Sequence, residues 1–191
     1  MRKTGIRLGI LCAAVLLLLA AGLFAAYPLA ADPAAWQQQI QRRVAAAENG
    51  TSPAVTLYDS VALPDRTCCL IQVGDRLGSA TLTRGLLGGY RLAHLGYGDG
   101  SLLDGIVESG GQSWLILGGR DTACRIASVT VEIEGRVYTL EKEPDADRFL
   151  LYTVLAGHPS DNHIDRERLH FYDAAGRDIT VDYDLSGGGI Q

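Results

Sequence analysis

The chain is 191 residues long, with 17 basic and 22 acidic residues and a net charge of −5. Arg2, Lys3 and Arg7 precede the first acidic residue, Asp32, so residues 32–191 set 14 basic against 22 acidic groups, a net −8. That balance argues against nucleic acid as a partner and against adhesion to anionic lipid headgroups. The length suits one domain able to bury a core without disulfide staples.

The 24 residues from Leu8 to Ala31 carry no charge. A hydrocarbon core about 30 Å thick needs roughly 20 apolar helical residues, so this run is long enough to span with some tilt. Positive charge before it and none within it predict an inside N-terminus, with everything from Asp32 outside. The expectation for residues 1–31 is a single-pass signal anchor in a cell membrane. A cleaved signal peptide is the alternative. Ala20-Ala21-Gly22 offers a small-x-small site, but Leu23-Phe24-Ala25-Ala26-Tyr27 stays apolar after it. Cys12 follows bulky Leu11, which does not suit a lipoprotein cleavage site, so it reads as an apolar residue in lipid.

Residues 32–48 read as a helix. Asp32 can cap it, Pro33 suits its first position, and Trp36, Ile40 and Val44 make an apolar stripe at i, i+4, i+8. Asn49-Gly50 stops it, and Asn49-Gly50-Thr51 is formally a glycosylation acceptor. Residues 32–50 are expected to be a stalk that lifts the domain off the membrane, with Trp36 near the headgroups; docking of a partner helix is the sharper alternative.

From Pro53 onward, short β-rich runs alternate with Gly, Pro, Asp and Asn. Strands are predicted at 54–63, 67–73, 78–84 and 90–97. Residues 103–108 and 112–117 form a hairpin around a three-residue connection, Ser109-Gly110-Gly111. A second set covers 126–133, 137–140, 148–155, 168–172 and 178–183, with 148–155 apolar enough for a central strand. Val129, Val131 and Ile133 alternate with Ser128, Thr130 and Glu132, and Asp173-Ala174-Ala175-Gly176 is a turn. The expected fold class is all-β, antiparallel and sandwich-like, preceded by the transmembrane helix and the short helix. It is either one continuous sandwich or two small β subdomains, 51–119 and 120–185. The tail, 186–191, is flexible by composition.

Cys68, Cys69 and Cys124 are the cysteines of the outer part. Neighbours on a strand face opposite ways, so Cys69 shares a face with Ile71 and Val73, and Cys68 with Leu70. Three buried, reduced thiols is the first reading; a Cys69–Cys124 bridge across the core is the other. The densest polar loop, residues 157–165, offers His158, Asp161, His163 and Asp165 as candidate metal ligands. Their spacing matches no zinc pattern and lacks the ordered acidic series of a calcium loop, so an ordinary solvated loop is expected. His170, in the next strand, could point either to this loop or away from it, and His94 sits alone in the fourth strand. Ser79, Ser101 and Ser113 lack the surroundings of an activated nucleophile, and Gly85 to Gly89 and Gly110-Gly111 lead into no helix that could cradle phosphate. Tyr90, Tyr97, Trp114, Tyr138, Tyr152 and Tyr172 are expected in core and cross-strand packing, with a sugar or peptide groove as the alternative. No cofactor is expected.

The glycine-punctuated stretches 78–85, 88–92 and 96–98 resemble the meanders of small membrane-anchored, extracytoplasmic β-domain proteins of Gram-positive bacteria. Residues 169–179, with Phe171-Tyr172-Asp173 and Gly176-Arg177, resemble a strand–turn–strand ending of bacterial sandwich domains. The resemblance implies an anchored β domain and supplies no catalytic residues. The leading functional expectation is a non-enzymatic binding or envelope-sensing domain, tethered through residues 8–31, with a protein or cell-envelope partner. The rivals are a metal-dependent envelope hydrolase using the 158–165 loop and a structural subunit of a membrane complex.

Overall fold

The computed structural model describes residues 2–48, 53–162, 164–183, 185 and 187–189, with 2–11 and 187–189 described by backbone alone. Two helices, α1 (Arg2–Ala26) and α2 (Pro33–Ala47), precede the strands. These are β1 (Val55–Ala62), β2 (Arg66–Val73), β3 (Arg76–Arg84), β4 (Tyr90–Gly98), β5 (Leu102–Ser109), β6 (Gln112–Arg120), β7 (Ser128–Ile133), β8 (Arg136–Glu141), β9 (Arg148–Val154), β10 (Leu169–Tyr172) and β11 (Gly187–Gly189). They form a first sheet in the order β1-β2-β3-β4, a middle sheet β11-β5-β6-β9 and an outer sheet β10-β7-β8. All pairings are antiparallel except β11 with β5.

The period-2 alternation stacks these sheets. Cys69, Ile71 and Val73 of β2 face α2, where they pack with Trp36, Ile40 and Val44. Cys68 and Leu70 point the other way, onto Leu103, Val107, Ile116 and Leu150 of the middle sheet. The opposite face of that sheet, with Leu102, Ile106, Leu115 and Leu117, packs on Val129, Val131, Leu169 and Phe171 of the outer sheet. The order of layers is therefore α2, first sheet, middle sheet, outer sheet.

Asp32 caps α2 as expected, accepting from Ala34 N at 3.1 Å. The helix is not a free stalk, because its apolar stripe covers the first sheet. Trp36 is buried there, against Tyr90 at 5.2 Å, with its Nε1 donating to the Ala30 carbonyl at 2.7 Å. Residues 49–52, and with them the Asn49-Gly50-Thr51 acceptor, lie outside the described residues.

Several expectations are corrected. Strand β9 lies at the edge of its sheet, not its centre. It reads as apolar because the middle sheet is buried on both faces, which removes the polar side of the alternation. The β5–β6 connection is a two-residue turn, since Ser109 pairs with Gln112. Gly110 and Gly111 take φ of +60° and +74°, left-handed values that suit a tight hairpin turn. Residues 178–183 hold one bridge, Tyr172 with Asp178, and a 3₁₀ turn at Thr180–Asp182, because Asp178 accepts from the Thr180 N–H and folds the chain back. The middle sheet draws strands from both sides of the 119/120 boundary. Within the tail, Gly187–Gly189 runs parallel to β5.

Asp121, at the crossing from middle to outer sheet, is fully buried, as is Lys142, whose Nζ lies 3.2 Å away. Burial opposes charge on Asp121. The Arg125 N–H, the Tyr183 hydroxyl, the Ile126 N–H and Lys142 together outweigh it and hold the carboxyl below its usual range. The same contact, after burial, raises the Tyr183 phenol. Breaking a buried pair from one side leaves an uncompensated charge and costs about 3–5 kcal/mol. Asp121→Asn should therefore lower urea stability at pH 7 by about that amount. Since the folded pKa of Asp121 lies below the unfolded value of about 3.9, its contribution is complete above that pH and drains as pH falls through the folded pKa. The urea midpoint of the native chain should fall in this acid range, and that of Asp121→Asn should fall less.

Candidate functional site

Six strands stand at sheet edges, and the structure treats them differently. The edge of β1 is occupied by glutamines of α2. The Leu57 N–H donates to Gln37 Oε1 at 3.3 Å, the Val55 N–H donates to Gln41 Oε1 at 2.8 Å, and Gln41 Nε2 donates to the Pro53 carbonyl at 2.8 Å. A register shift between Leu57 and Asp59 breaks the rest of that edge. The start of β4 pairs with the segment between the helices, through Leu29 N to Tyr90 O at 3.0 Å and Tyr90 N to Leu29 O at 2.8 Å. Strand β10 is met by residues 178–180, where Ile179 N donates to Phe171 O at 2.9 Å and Phe171 N donates to Thr180 Oγ1 at 2.9 Å. Strand β11 is three residues long. Covered, interrupted and short edges are the usual protection against strand addition.

Strands β8 and β9 lack such covers among the described residues. Antiparallel partners bond through alternate residues. The bonds Leu155 N to Ser113 O and Asp121 N to Asp147 O, both 2.8 Å, bracket the β6–β9 ladder. Phe149, Leu151 and Thr153 thus bond to β6, and Arg148, Leu150 and Tyr152 turn their N–H and C=O groups outward. By the same alternation from Lys142 N to Ala127 O at 2.8 Å, Val137, Thr139 and Glu141 turn outward from β8. Both edges open on one groove of about 690 Å³, lined by residues 139–143, 146 and 148–153, with Asp59 from β1.

The groove's charges are unequal. Lys142 is buried against Asp121. Arg148 is held by Asp147, by Gln72 Oε1 at 3.0 Å and by the Tyr58 ring, 4.0 Å from its guanidinium carbon. Asp59, Glu141 and Glu143 are exposed, and none forms an ion pair among the described residues. The accessible surface is therefore acidic, beside an exposed Tyr152 and two rows of free backbone groups.

The candidate metal ligands separate. His158 leaves the loop for the β5–β6 hairpin, where its Nδ1 lies 3.1 Å from Glu108 Oε2 and 3.0 Å from Ser113 Oγ. Asp165 caps the 3₁₀ turn at Arg166–Arg168, accepting from Glu167 N at 3.1 Å, and lies 3.3 Å from Arg168 Nε. Asp161 is exposed beside the outer sheet, and His163 lies outside the described residues. Among the described residues no group of three or more His, Cys, Asp or Glu is placed to hold a metal. His170 pairs instead with Asp178 Oδ2 at 3.1 Å, and His94 faces a recess beside α2.

Glu108, Ser113 and His158 do converge, a cluster sequence reasoning missed. The hairpin pairs Glu108 with Ser113, but nothing local connects either to His158. A hydrolytic relay needs the carboxylate and the hydroxyl on different ring nitrogens. Here both meet Nδ1, the Ser113 hydroxyl donates to Glu108, and Ser113 is buried. The cluster ties the loop to the hairpin.

Cys69 and Cys124 are not bridged; all the described cysteines are free. Cys69 lies between α2 and the first sheet, whereas Cys124 is exposed in the turn after β6, its Sγ 3.5 Å from Asp145 O. Burial pushes the Cys68 thiol up to about 11 and the Cys69 thiol up to about 12.

No family model matches the chain, and no curated protein or solved structure is similar to it.

The thiols give a direct test of these positions. In native protein at pH 8, iodoacetamide should label Cys124 and leave Cys68 and Cys69 unmodified until denaturant is added, as read by peptide mass. Native labelling of Cys69 would place it outside the core described above.

Proposed function

We propose that this is a membrane-tethered, extracytoplasmic β domain with a non-enzymatic binding role, and that the β8–β9 groove takes an extended, basic segment of a partner protein by strand addition. The carrying observation is the contrast among edges: β1, the start of β4 and β10 are engaged by other parts of the chain, while β8 and β9, among the described residues, present outward N–H and C=O groups to one acidic groove. Backbone pairing supplies affinity in this recognition mode, and flanking side chains supply selectivity. Asp59, Glu141 and Glu143 favour lysine and arginine there and disfavour a second copy of this acidic chain.

The tether rests on α1. Among the described residues no helix is long and apolar enough to cross a membrane. Support comes from the uncharged run Leu8 to Ala31 and from Leu16, Leu17, Leu18, Leu19 and Phe24, all at least 60% exposed. A helix that is apolar all round and unpacked against its own domain is stable in lipid, not in water. The acidic end of the groove also lies at the other end of the domain from α1. The β1–β2 and β5–β6 turns meet where Asp65 N donates to Ser109 Oγ at 3.2 Å, the end at which Arg84 N also donates to Asp65 O. Asp75, Ser101 and Asp121 gather at the far end, with Glu141 and Glu143.

Binding can be measured by fluorescence anisotropy on the full-length chain in detergent, using a labelled peptide of alternating Lys and Val and a control of alternating Glu and Val. The basic peptide should bind and the acidic one should not. Tyr152→Pro deletes one outward N–H without touching the β6 ladder, and Glu141→Lys with Glu143→Lys reverses the local charge. Each should weaken binding roughly tenfold while unfolding stability stays within about 1 kcal/mol of native. Equal binding of both peptides, or native-like binding by both variants, would sink the proposal.

A further inference from the structure

The β3–β4 turn exposes leucine where turns ordinarily carry polar residues. Leu86 is 91% exposed and Leu87 49%, inside a loop closed by Gly88 N to Gly85 O at 3.0 Å and Gly85 N to Gly89 O at 2.8 Å. This turn is fixed against the end of α1. Tyr27, the residue after that helix, packs so tightly that a Cβ on Gly85 would lie 2.6 Å from its ring and one on Gly89 2.3 Å from its carbonyl oxygen. The Leu29–Tyr90 pair and the Trp36 bond to Ala30 lock the next residues down. Arg91 sits over the Tyr27 ring at 5.4 Å, and Arg84 flanks the turn.

A tyrosine that directly follows a membrane-suited helix, with an apolar tip and two arginines on the turn packed against it, makes an interfacial set. Aromatic rings favour the headgroup layer, arginines reach phosphates from it, and leucine side chains gain from burial below it. We propose that Leu86 and Leu87 enter the headgroup–acyl boundary of the bilayer beside α1, with Tyr27 and Arg91 at headgroup level. The domain then has two membrane contacts and a fixed orientation, with the acidic end of the β8–β9 groove held away from the surface. The inference rests on the tethered reading above. It does not need a basic domain surface, because the leucines make the contact.

The test uses the full-length chain with Cys12→Ala and Cys124→Ser, reconstituted in phosphatidylcholine–phosphatidylglycerol vesicles. An environment-sensitive fluorophore is attached at Leu86→Cys or, as a far-end control, at Asp75→Cys. The label at 86 should be quenched by lipid carrying a shallow nitroxide and show roughly fivefold less iodide quenching than the label at 75. A chain retained in the bilayer after carbonate wash, with equal iodide access at both positions, would overturn the turn contact alone. Release of the chain by carbonate would overturn the tethered reading and this inference together.

Discussion

A buried carboxylate organises the change of layer on which this architecture depends. Strand β6 ends at Arg120, and the chain must leave the middle sheet to begin the outer one. Asp121 stands there with no access to water. Its oxygens accept from the turn ahead, from Lys142 after β8 and from Tyr183 near the C-terminal end, while its own N–H donates to Asp147 just before β9. Three segments distant in sequence, and the turn ahead, are thereby set relative to one residue. An apolar residue would pack there, but it would leave the Arg125 and Ile126 N–H groups unsatisfied.

The second constraint is the double burial of the middle sheet. Its strands supply apolar side chains to both neighbours, so their polar residues need individual partners. Asp104, 7% exposed, takes Arg166; Ser113 takes Glu108; Asp121 takes Lys142. Each of these pairs also docks something: the 3₁₀ turn at Arg166–Arg168, the hairpin and its neighbouring loop, the end of β8. Polar satisfaction and tertiary attachment are the same contacts here. This explains why His158, the residue a metal-site reading would choose, is found with a serine and a glutamate of the hairpin.

Local features were legible in the sequence, and non-local ones were not. Asp32, Pro33 and the Trp36–Ile40–Val44 stripe specify α2 within a turn or two, because capping and helical periodicity act over a few residues. The first four strands follow from turn residues and alternation for the same reason. The stripe could not say what it covers, so the helix read as a stalk. Strand β9 carries its burial in its composition but not its place in the sheet, since edge and centre differ only in whether a second neighbour arrives. Gly187–Gly189 has no side chains to pattern, so its pairing with β5 left no trace in composition. The groove was invisible for a stronger reason: it is made of outward backbone groups on two strands that belong to different sheets.

The treatment of edges carries the functional argument further than any single side chain does. Gln37 and Gln41 reach from α2 to bond the β1 backbone, which is a costly use of two long side chains unless that edge must be closed. Tyr27 to Ala30 close the start of β4 in the same way while fixing the end of α1. Among the described residues the same chain leaves β8 and β9 open side by side, a contrast with the edges it closes. In the binding role proposed above, the exposed acidic residues around them would deter pairing with like copies and favour a cationic strand. The attachments that close the start of β4 also hold the residues that follow α1, so edge protection and the placement of the end of α1 share one set of contacts.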